Sequence, residues 1–402
     1  MTNTPSTAAS TGPLEGLRVL DLSRLAPGPF ASMLLSDLGA EVTLVEPPAG
    51  AIKTSARPGG EAAERRRAHN PLGRNKRSIV VNLKSDEGRV LVHDLSREAD
   101  VLLEGFRPGV TDRLGVGYEA IALTNPRIVY ASLSGYGQTG PYRDLVGHDL
   151  NYIAVGGVLS GIGQRGGRPA IPFNTIADFA AGGLMTAYAV MCAVFARDRT
   201  GRGQHIDISM SDNVLYLLAM QTADVLAGGE VPRPSSQLLN GGGPHYNVYE
   251  CADGKWISIA SLEPQFWAAL CRLVGREDLL ERQAEMLSSQ EFEDHLAAFF
   301  RTKGRDEWFV ELRDVELCIA PVLDIAEALD DEHAQARSMT AELADPVLGT
   351  VRQVGIGPKF GDTPGHVRST APQTGEHTDE VLRALGRSDE QIAQLRASGV
   401  VS

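Results

Sequence analysis

The chain has 402 residues, 43% of them apolar, and a formal charge of −13. That length exceeds what one hydrophobic core usually organises, so two domains are expected, and the acidic balance argues against nucleic acid as a partner. No unbroken apolar run reaches the roughly 18 residues of a membrane span, and the four cysteines form no CxxC pair and no zinc spacing, so the expectation is a cytoplasmic protein with buried thiols, no membrane attachment and no metal.

Residues 1–12 are rich in Thr, Ser, Ala and Pro and read as a disordered tail. Residues 17–22 read as a buried strand. Pro27-Gly28-Pro29 then starts a helix with Phe30, Met33, Leu34 and Leu38 on one face, Gly39 stops it, and residues 42–45 form the next strand. Residues 47–73 show no period, which marks a functional or mobile loop. Strands are expected at 79–83, 101–103 and 128–133, with a helix from Ser85. Alternation of this kind predicts an α/β fold with a large Rossmann-like, doubly wound domain. A long apolar helix should run from Asp178 to about Phe195, then a strand over 205–210 and a helix capped by Ser211 to about Ala227. Residues 228–243 read as a linker. Residues 246–252 and 255–261 flank Asp253-Gly254 as a type I′ hairpin, with helices after it over 264–275, 290–302 and 304–314. The partition is therefore a large domain over 13–227, a smaller α+β domain over 244–325, and a return linker with the C-terminal part of the large domain over 326–402, carrying short helices near 378–386 and 388–398.

Three ionisable residues suggest a reaction class. His148 stands in Gly147-His148-Asp149-Leu150-Asn151-Tyr152, Asp178 in Asn174-Thr175-Ile176-Ala177-Asp178-Phe179, and Glu263 in Leu262-Glu263-Pro264-Gln265-Phe266-Trp267. A base near neutral pKa and a carboxylic acid in one pocket can take a proton from one face of a carbon and return it to the other. The plainer readings are a structural histidine and two helix starts; Asp178 as an N-cap would leave free amides beside it for an oxyanion. Ligands of open parallel sheets bind beyond the carboxyl ends of the strands, where Lys84, Arg107 and Arg113 are expected to gather. Residues 48–77 hold eight cations against Glu61 and Glu64, a net +6, which suits either a small polyanion or a solvated loop. A nicotinamide cofactor is not expected: residues 24–29 contain no G-x-G-x-x-G, and two prolines remove amide donors.

These residues resemble the family III coenzyme A transferases (the CaiB/BaiF superfamily) and, within them, the α-methylacyl-CoA racemases. Pro13-Leu14-Glu15-Gly16-Leu17-Arg18-Val19, Asn75-Lys76-Arg77-Ser78, Arg107-Pro108-Gly109, Gly135-Tyr136-Gly137-Gln138-Thr139-Gly140-Pro141 and Gly375-Glu376-His377-Thr378 carry the superfamily resemblance. The His148 and Glu263 motifs look like the racemase branch. The resemblance implies an interlocked homodimer whose active site lies between the large domain of one chain and the small domain of the other. His148 and Asp178 are then the acid/base pair, with Glu263 of the partner chain orienting His148. Asn174 helps hold the thioester carbonyl, and Val81, Lys84, Arg107, Arg113 and Gly147 bind the coenzyme. The second strand carries Leu44 where the family usually has Lys or Arg, so Lys53 or Arg57 is expected to supply that contact.

The activity implied by the resemblance is that of an acyl-CoA racemase of lipid metabolism. It would invert the α-carbon of 2-methylacyl-CoA thioesters through an enolate, with coenzyme A as part of the substrate and no separate cofactor. Two alternatives stay open. One is a transferase with Asp178 as a nucleophile forming an aspartyl-CoA thioester; the other is a non-catalytic acyl-CoA-binding protein.

Overall fold

The computed structural model describes residues 12–49 and 60–402; the tail expected over 1–12 lies, but for Gly12, outside the described residues, as do Lys53 and Arg57. The described chain forms two compact units. One takes the chain up to Val155, Phe173–Leu217 and Asp331–Ser402, and the other Gly156–Pro172 and Leu218–Asp330. Residues 228–243 fall within the second.

The first unit is built on six parallel strands: β1 (Arg18–Asp21), β2 (Glu41–Glu46), β3 (Lys76–Val80), β4 (Val101–Glu104), β5 (Val129–Ser134) and β6 (Gln204–Ser209). Their order is β3-β2-β1-β4-β5-β6, every neighbouring pair parallel. This is the doubly wound order, in which chain direction across the sheet reverses between β1 and β4 and leaves a crevice at their carboxyl ends. The central strands β4 and β5 are buried along their whole length, as a parallel sheet covered on both faces requires. Helix α1 (Pro27–Asp37) starts on two prolines, and α2 (Asp86–Arg97) is capped by Ser85, whose Oγ accepts the Gly88 N–H at 3.1 Å. Helix α3 (Asp149–Val155) comes after the loop that leaves β5. A π-helical segment, Thr175–Leu184, then runs without a break into α4 (Met185–Thr200).

That continuous helix of 26 residues is long and apolar enough to cross a membrane by length and composition. The expectation of no such segment counted unbroken apolar runs, and polar Asp178 and Thr186 interrupt this one. Here it packs against α1 and β5 as a core helix does. The approach to α1 is close because two glycines face it. A β-carbon on Gly183 would stand 2.6 Å from Phe30 Cδ1, and one on Gly182 2.8 Å from Pro27 Cβ.

The basic stretch beyond Gly59 is not a free cationic patch. Residues Glu61–His69 form a helix, and its cations pair with carboxylates: Arg65 with Glu61 at 2.7 Å, Arg67 with Asp345 at 2.7 Å and Glu64 at 3.0 Å. Lys76 is buried and donates to the Pro29 and Leu72 carbonyls and to Ser32 Oγ. Arg74 is fully buried and grips Asp37, at the end of α1, through Nε at 2.9 Å and Nη2 at 2.6 Å. Asn75, at φ 59°, adds a third donor to Asp37 and accepts the Arg368 and Ser369 amides. One carboxylate thus ties α1, the start of β3 and the C-terminal segment together.

The second unit has an antiparallel sheet of β7 (Tyr246–Glu250), β8 (Trp256–Ala260) and β9 (Ile319–Pro321), packed on Trp267, Phe292, Phe300 and Trp308. Its hairpin is not type I′. Only Gly254 has positive φ, 74°, and the Gly254 amide donates to the Cys251 carbonyl at 3.0 Å, so the loop is a turn over Ala252-Asp253 closed by a left-handed glycine. The C-terminal part of the first unit holds β10 (Thr340–Asp345) and β11 (Gly349–Val354), an antiparallel pair. A second local correction concerns the helix after β6. It begins at Met210, and Ser209, not Ser211, accepts the Asp212 amide at its start.

Removing one partner of a buried ion pair leaves an uncompensated charge, a cost of about 3–5 kcal/mol. Asp37→Ala is therefore expected to lower the thermal midpoint sharply, and the double variant Asp37→Leu/Arg74→Met to recover much of the loss. Calorimetry of the three proteins checks this; a double variant no better than Asp37→Ala would mean that the pair's geometry, not its charge, matters.

Candidate active site

An open cavity of about 420 Å³ lies at the switch point. Its walls come from the segments that leave three neighbouring strands: Ser23 to Gly28 after β1, Gly105 to Pro108 after β4, and Leu133 to Tyr136 at the end of β5. Arg143 and the run from Leu145 to His148, with Asn151, Tyr152 and Met210, complete it. Side chains with chemistry gather here because parallel strands deliver all their carboxyl-end loops to one side.

His148 is exposed and occupies the N-terminal junction of α3, where its carbonyl accepts the Asn151 and Tyr152 amides and its own amide donates to Asn151 Oδ1 at 3.1 Å. Gly147 has no room for a side chain: a β-carbon there would meet Tyr152 Cε1 at 2.8 Å and Tyr136 Oη at 3.2 Å. Tyr152 donates its hydroxyl to the Gly147 carbonyl at 2.5 Å, and burial pushes its pKa up to about 12.

Asp178 is the fourth residue of the π-helical segment, not its N-cap; Asn174 holds that position. The two amides beside it are not free. Asp149 Oδ2 accepts the Ala177 N–H at 2.8 Å and the Asp178 N–H at 2.9 Å. The expectation that these amides hold an oxyanion is thereby overturned: a buried carboxylate already takes them. The same bonds fasten the segment that carries Asp178 to the residue next to His148. Asn174 Nδ2 donates to Asp178 Oδ2 at 2.8 Å. Burial pushes the Asp178 carboxyl above the usual carboxylate range. The Asn174 hydrogen bond and His148 pull it back, while Asp149 adds to the rise. The first unit thus brings His148, Asp149, Asn174 and Asp178 together.

Glu263 belongs to the second unit. It is exposed at the N-cap of the helix Pro264–Leu273 and makes no capping hydrogen bond with its side chain.

The coenzyme candidates do not form one cluster. Arg107 and Gly147 line the cavity. Arg113 is exposed one turn beyond Arg107. Lys84 and Val81 come after β3, which lies three strand spacings from β4, about 14 Å across the sheet. Val81 is buried and bridges Val401, while Lys84 is exposed. Sequence reasoning missed Arg24 and Arg143, which line the cavity, and Asp149, which sits beside His148 in the same motif. Beneath the wall, the Glu104 carboxylate accepts the Phe106 amide at 2.7 Å and is pushed by burial up to about 7.

The Asn174 bond stabilises the charged form of Asp178, so Asn174→Ala should raise the pKa of that carboxyl further. Titration of the labelled carboxyl carbon by NMR in both proteins checks the direction; a downward move would show that Asn174 does not hold the carboxylate in solution.

The family model described as CoA-transferase family III matches residues 14–378. Human alpha-methylacyl-CoA racemase is 38% identical over 398 residues, covering 96% of this chain and 97% of that protein. The succinyl-CoA–L-malate CoA-transferase beta subunit of Chloroflexus aurantiacus is 33% identical, covering 98% of this chain and 99% of that one. The crystal structure of a CaiB/BaiF family protein from Brucella suis superposes with a TM-score of 0.77 at 28% identity, over 93% of this chain and 100% of its own. Matched along nearly its whole length by the family model and by such relatives, the chain belongs to CoA-transferase family III.

Proposed function

We propose that the protein is an acyl-CoA racemase or epimerase that inverts the α-carbon of 2-methylacyl-CoA thioesters by two-base 1,1-proton transfer. The observation that carries this reading is the pairing of His148 with Asp178 through Asp149, whose carboxylate fastens the Asp178 segment to the residue beside the histidine. One of the two groups removes the α-proton, leaving a planar enolate; the other, protonated at the outset, delivers its proton to the opposite face. A single base would return the proton to the face it left, so inversion needs both. His148 serves the (S) epimer and Asp178 the (R) epimer. Burial of Asp178 favours its protonated form and so suits it to deliver a proton. The second N–H of Asn174 is the donor assigned to the enolate oxygen, since the Ala177 and Asp178 amides are taken. Arg107 and Arg113 hold the coenzyme's phosphates. In this scheme no metal or nicotinamide takes part.

Glu263 of the partner subunit orients His148 in an interlocked homodimer. Support for a dimer comes from apolar side chains left exposed on neighbouring helices: Leu184, Tyr188 and Phe195 on the long helix, and Leu215 and Tyr216 on Met210–Leu217. So large an apolar surface calls for a partner. Sedimentation at nanomolar protein is expected to give a dimer, and Tyr188→Glu/Phe195→Glu a weakened one. An active wild-type monomer would remove both the shared site and the role given to Glu263.

The transferase reading has its own support in relatives such as the Chloroflexus aurantiacus protein, matched over 98% of this chain. There Asp178 would attack the thioester carbonyl and His148 would be idle. Deuterium oxide separates the two. Each acid/base group contributes on the order of 10²–10⁴-fold. His148→Ala should lose epimerisation by such a factor yet exchange the α-hydrogen of the epimer served by Asp178, without inversion. Asp178→Asn should do the converse. Undiminished epimerisation by His148→Ala refutes the two-base scheme. Acyl exchange between coenzyme A donors that survives in His148→Ala, with hydroxylamine trapping at Asp178, establishes the transferase instead.

A further inference from the structure

The cavity wall carries Arg24, Arg107 and Arg143 and not one carboxylate, on a chain whose net charge is −13. Other arginines of this unit are paired: Arg74 with Asp37 at 2.6 Å, and Arg197 with Asp100 at 2.7 Å. Among the described residues, Arg24, Arg107, Arg113 and Arg143 have no carboxylate within ion-pair distance. Two of them converge on one point. A β-carbon on Gly109 would lie 3.2 Å from Arg143 Nη2 and 3.4 Å from Arg113 Nη1. Gly109, at φ 75°, turns the chain after β4 into the helix Val110–Leu114, and Arg143 reaches the same place from the loop after β5. Guanidiniums that approach from different elements repel each other unless an anion lies between them. Arg24, leaving β1, rests over the Phe106 ring at 5.1 Å, a contact that fixes its side chain without consuming an N–H donor. All four therefore keep their planar N–H forks available, the geometry that suits phosphate oxygens.

We infer that Arg24 and Arg143 are phosphate-binding residues, forming with Arg107 and Arg113 a four-arginine cradle for the coenzyme A moiety. Arg143 and Arg113 clamp one phosphate across Gly109, and Arg24 closes the opposite wall. The inference rests on the coenzyme A thioester reading of the ligand and not on the two-base chemistry.

The experiment is calorimetric titration of the full-length protein with three probes. Coenzyme A carries a diphosphate and a ribose phosphomonoester, dephospho-coenzyme A only the diphosphate, and pantetheine no phosphate. Arg24→Ala and Arg143→Ala are each expected to weaken coenzyme A binding about 10- to 100-fold, the range of a hydrogen bond to a charged group. Pantetheine binding should not change. A loss that vanishes with dephospho-coenzyme A assigns that arginine to the phosphomonoester; a loss that persists assigns it to the diphosphate. The loss should shrink in Arg143→Lys, which keeps the charge, and in high salt. Thermal midpoints equal to wild type exclude misfolding. Unchanged coenzyme A affinity overturns the inference, as does an equal loss for pantetheine. Failure of the racemase reading looks different: coenzyme A affinity stays phosphate-dependent while α-deuterium exchange is absent.

Discussion

The Asp149 carboxylate is the constraint on which the candidate site depends. It is buried, and its Oδ2 accepts two adjacent amides, Ala177 and Asp178, from a segment 28 and 29 residues further along the chain. A charged acceptor at the start of a helix satisfies donors that have no intrahelical partner and favours the positive end of the helix. Here the capping carboxylate comes from outside the helix, so one interaction does two jobs. It opens the π-helical turn on which Asp178 is displayed, and it fixes that turn against the residue carrying His148. Gly182 and Gly183 of the same segment seat against α1, which starts from the loop that walls the cavity.

The sheet explains why the cavity is cationic on an acidic protein. Strand order β3-β2-β1-β4-β5-β6 puts the exits of β1, β4 and β5 side by side, and each exit carries an arginine or leads to one. The carboxylates near these exits are turned to structural work. Asp21 takes the Ser23 amide and hydroxyl and the Ser32 hydroxyl, and Glu104 takes the Phe106 amide. Negative charge is thus consumed in shaping the loops, and positive charge is left facing the opening.

Much of this was legible in sequence. The βαβ alternation pointed to the doubly wound sheet because strands buried on both faces read as continuous apolar runs. His148 and Asp178 stood out as ionisable residues at element boundaries. The misses have definite physical causes. Asp178 looks like an N-cap, since an Asp before an apolar helix usually is one; its true place inside a π-helical turn depends on Asp149, a contact no local pattern announces. The basic run over 48–77 looked like one patch. A count of charges cannot see that Arg67 and Arg74 find Asp345 and Asp37. Asp253-Gly254 looked like a type I′ turn, but the strand register and the Cys251–Lys255 hydrogen bond leave Ala252, Asp253 and Gly254 all in the loop.

The sequence by itself determined the elements, the family motifs and the kinds of chemistry available, because periodicity, turn residues and side-chain type are local properties. The tertiary structure alone decided which of the charged residues are free. Arg74 and Arg143 are indistinguishable by composition, yet one is locked onto Asp37 in the core and the other stands in a cavity without a carboxylate. Likewise, only the fold shows that the amides beside Asp178 are occupied. Whether a donor or a charge is satisfied depends on partners tens or hundreds of residues away, and burial makes that pairing energetically decisive.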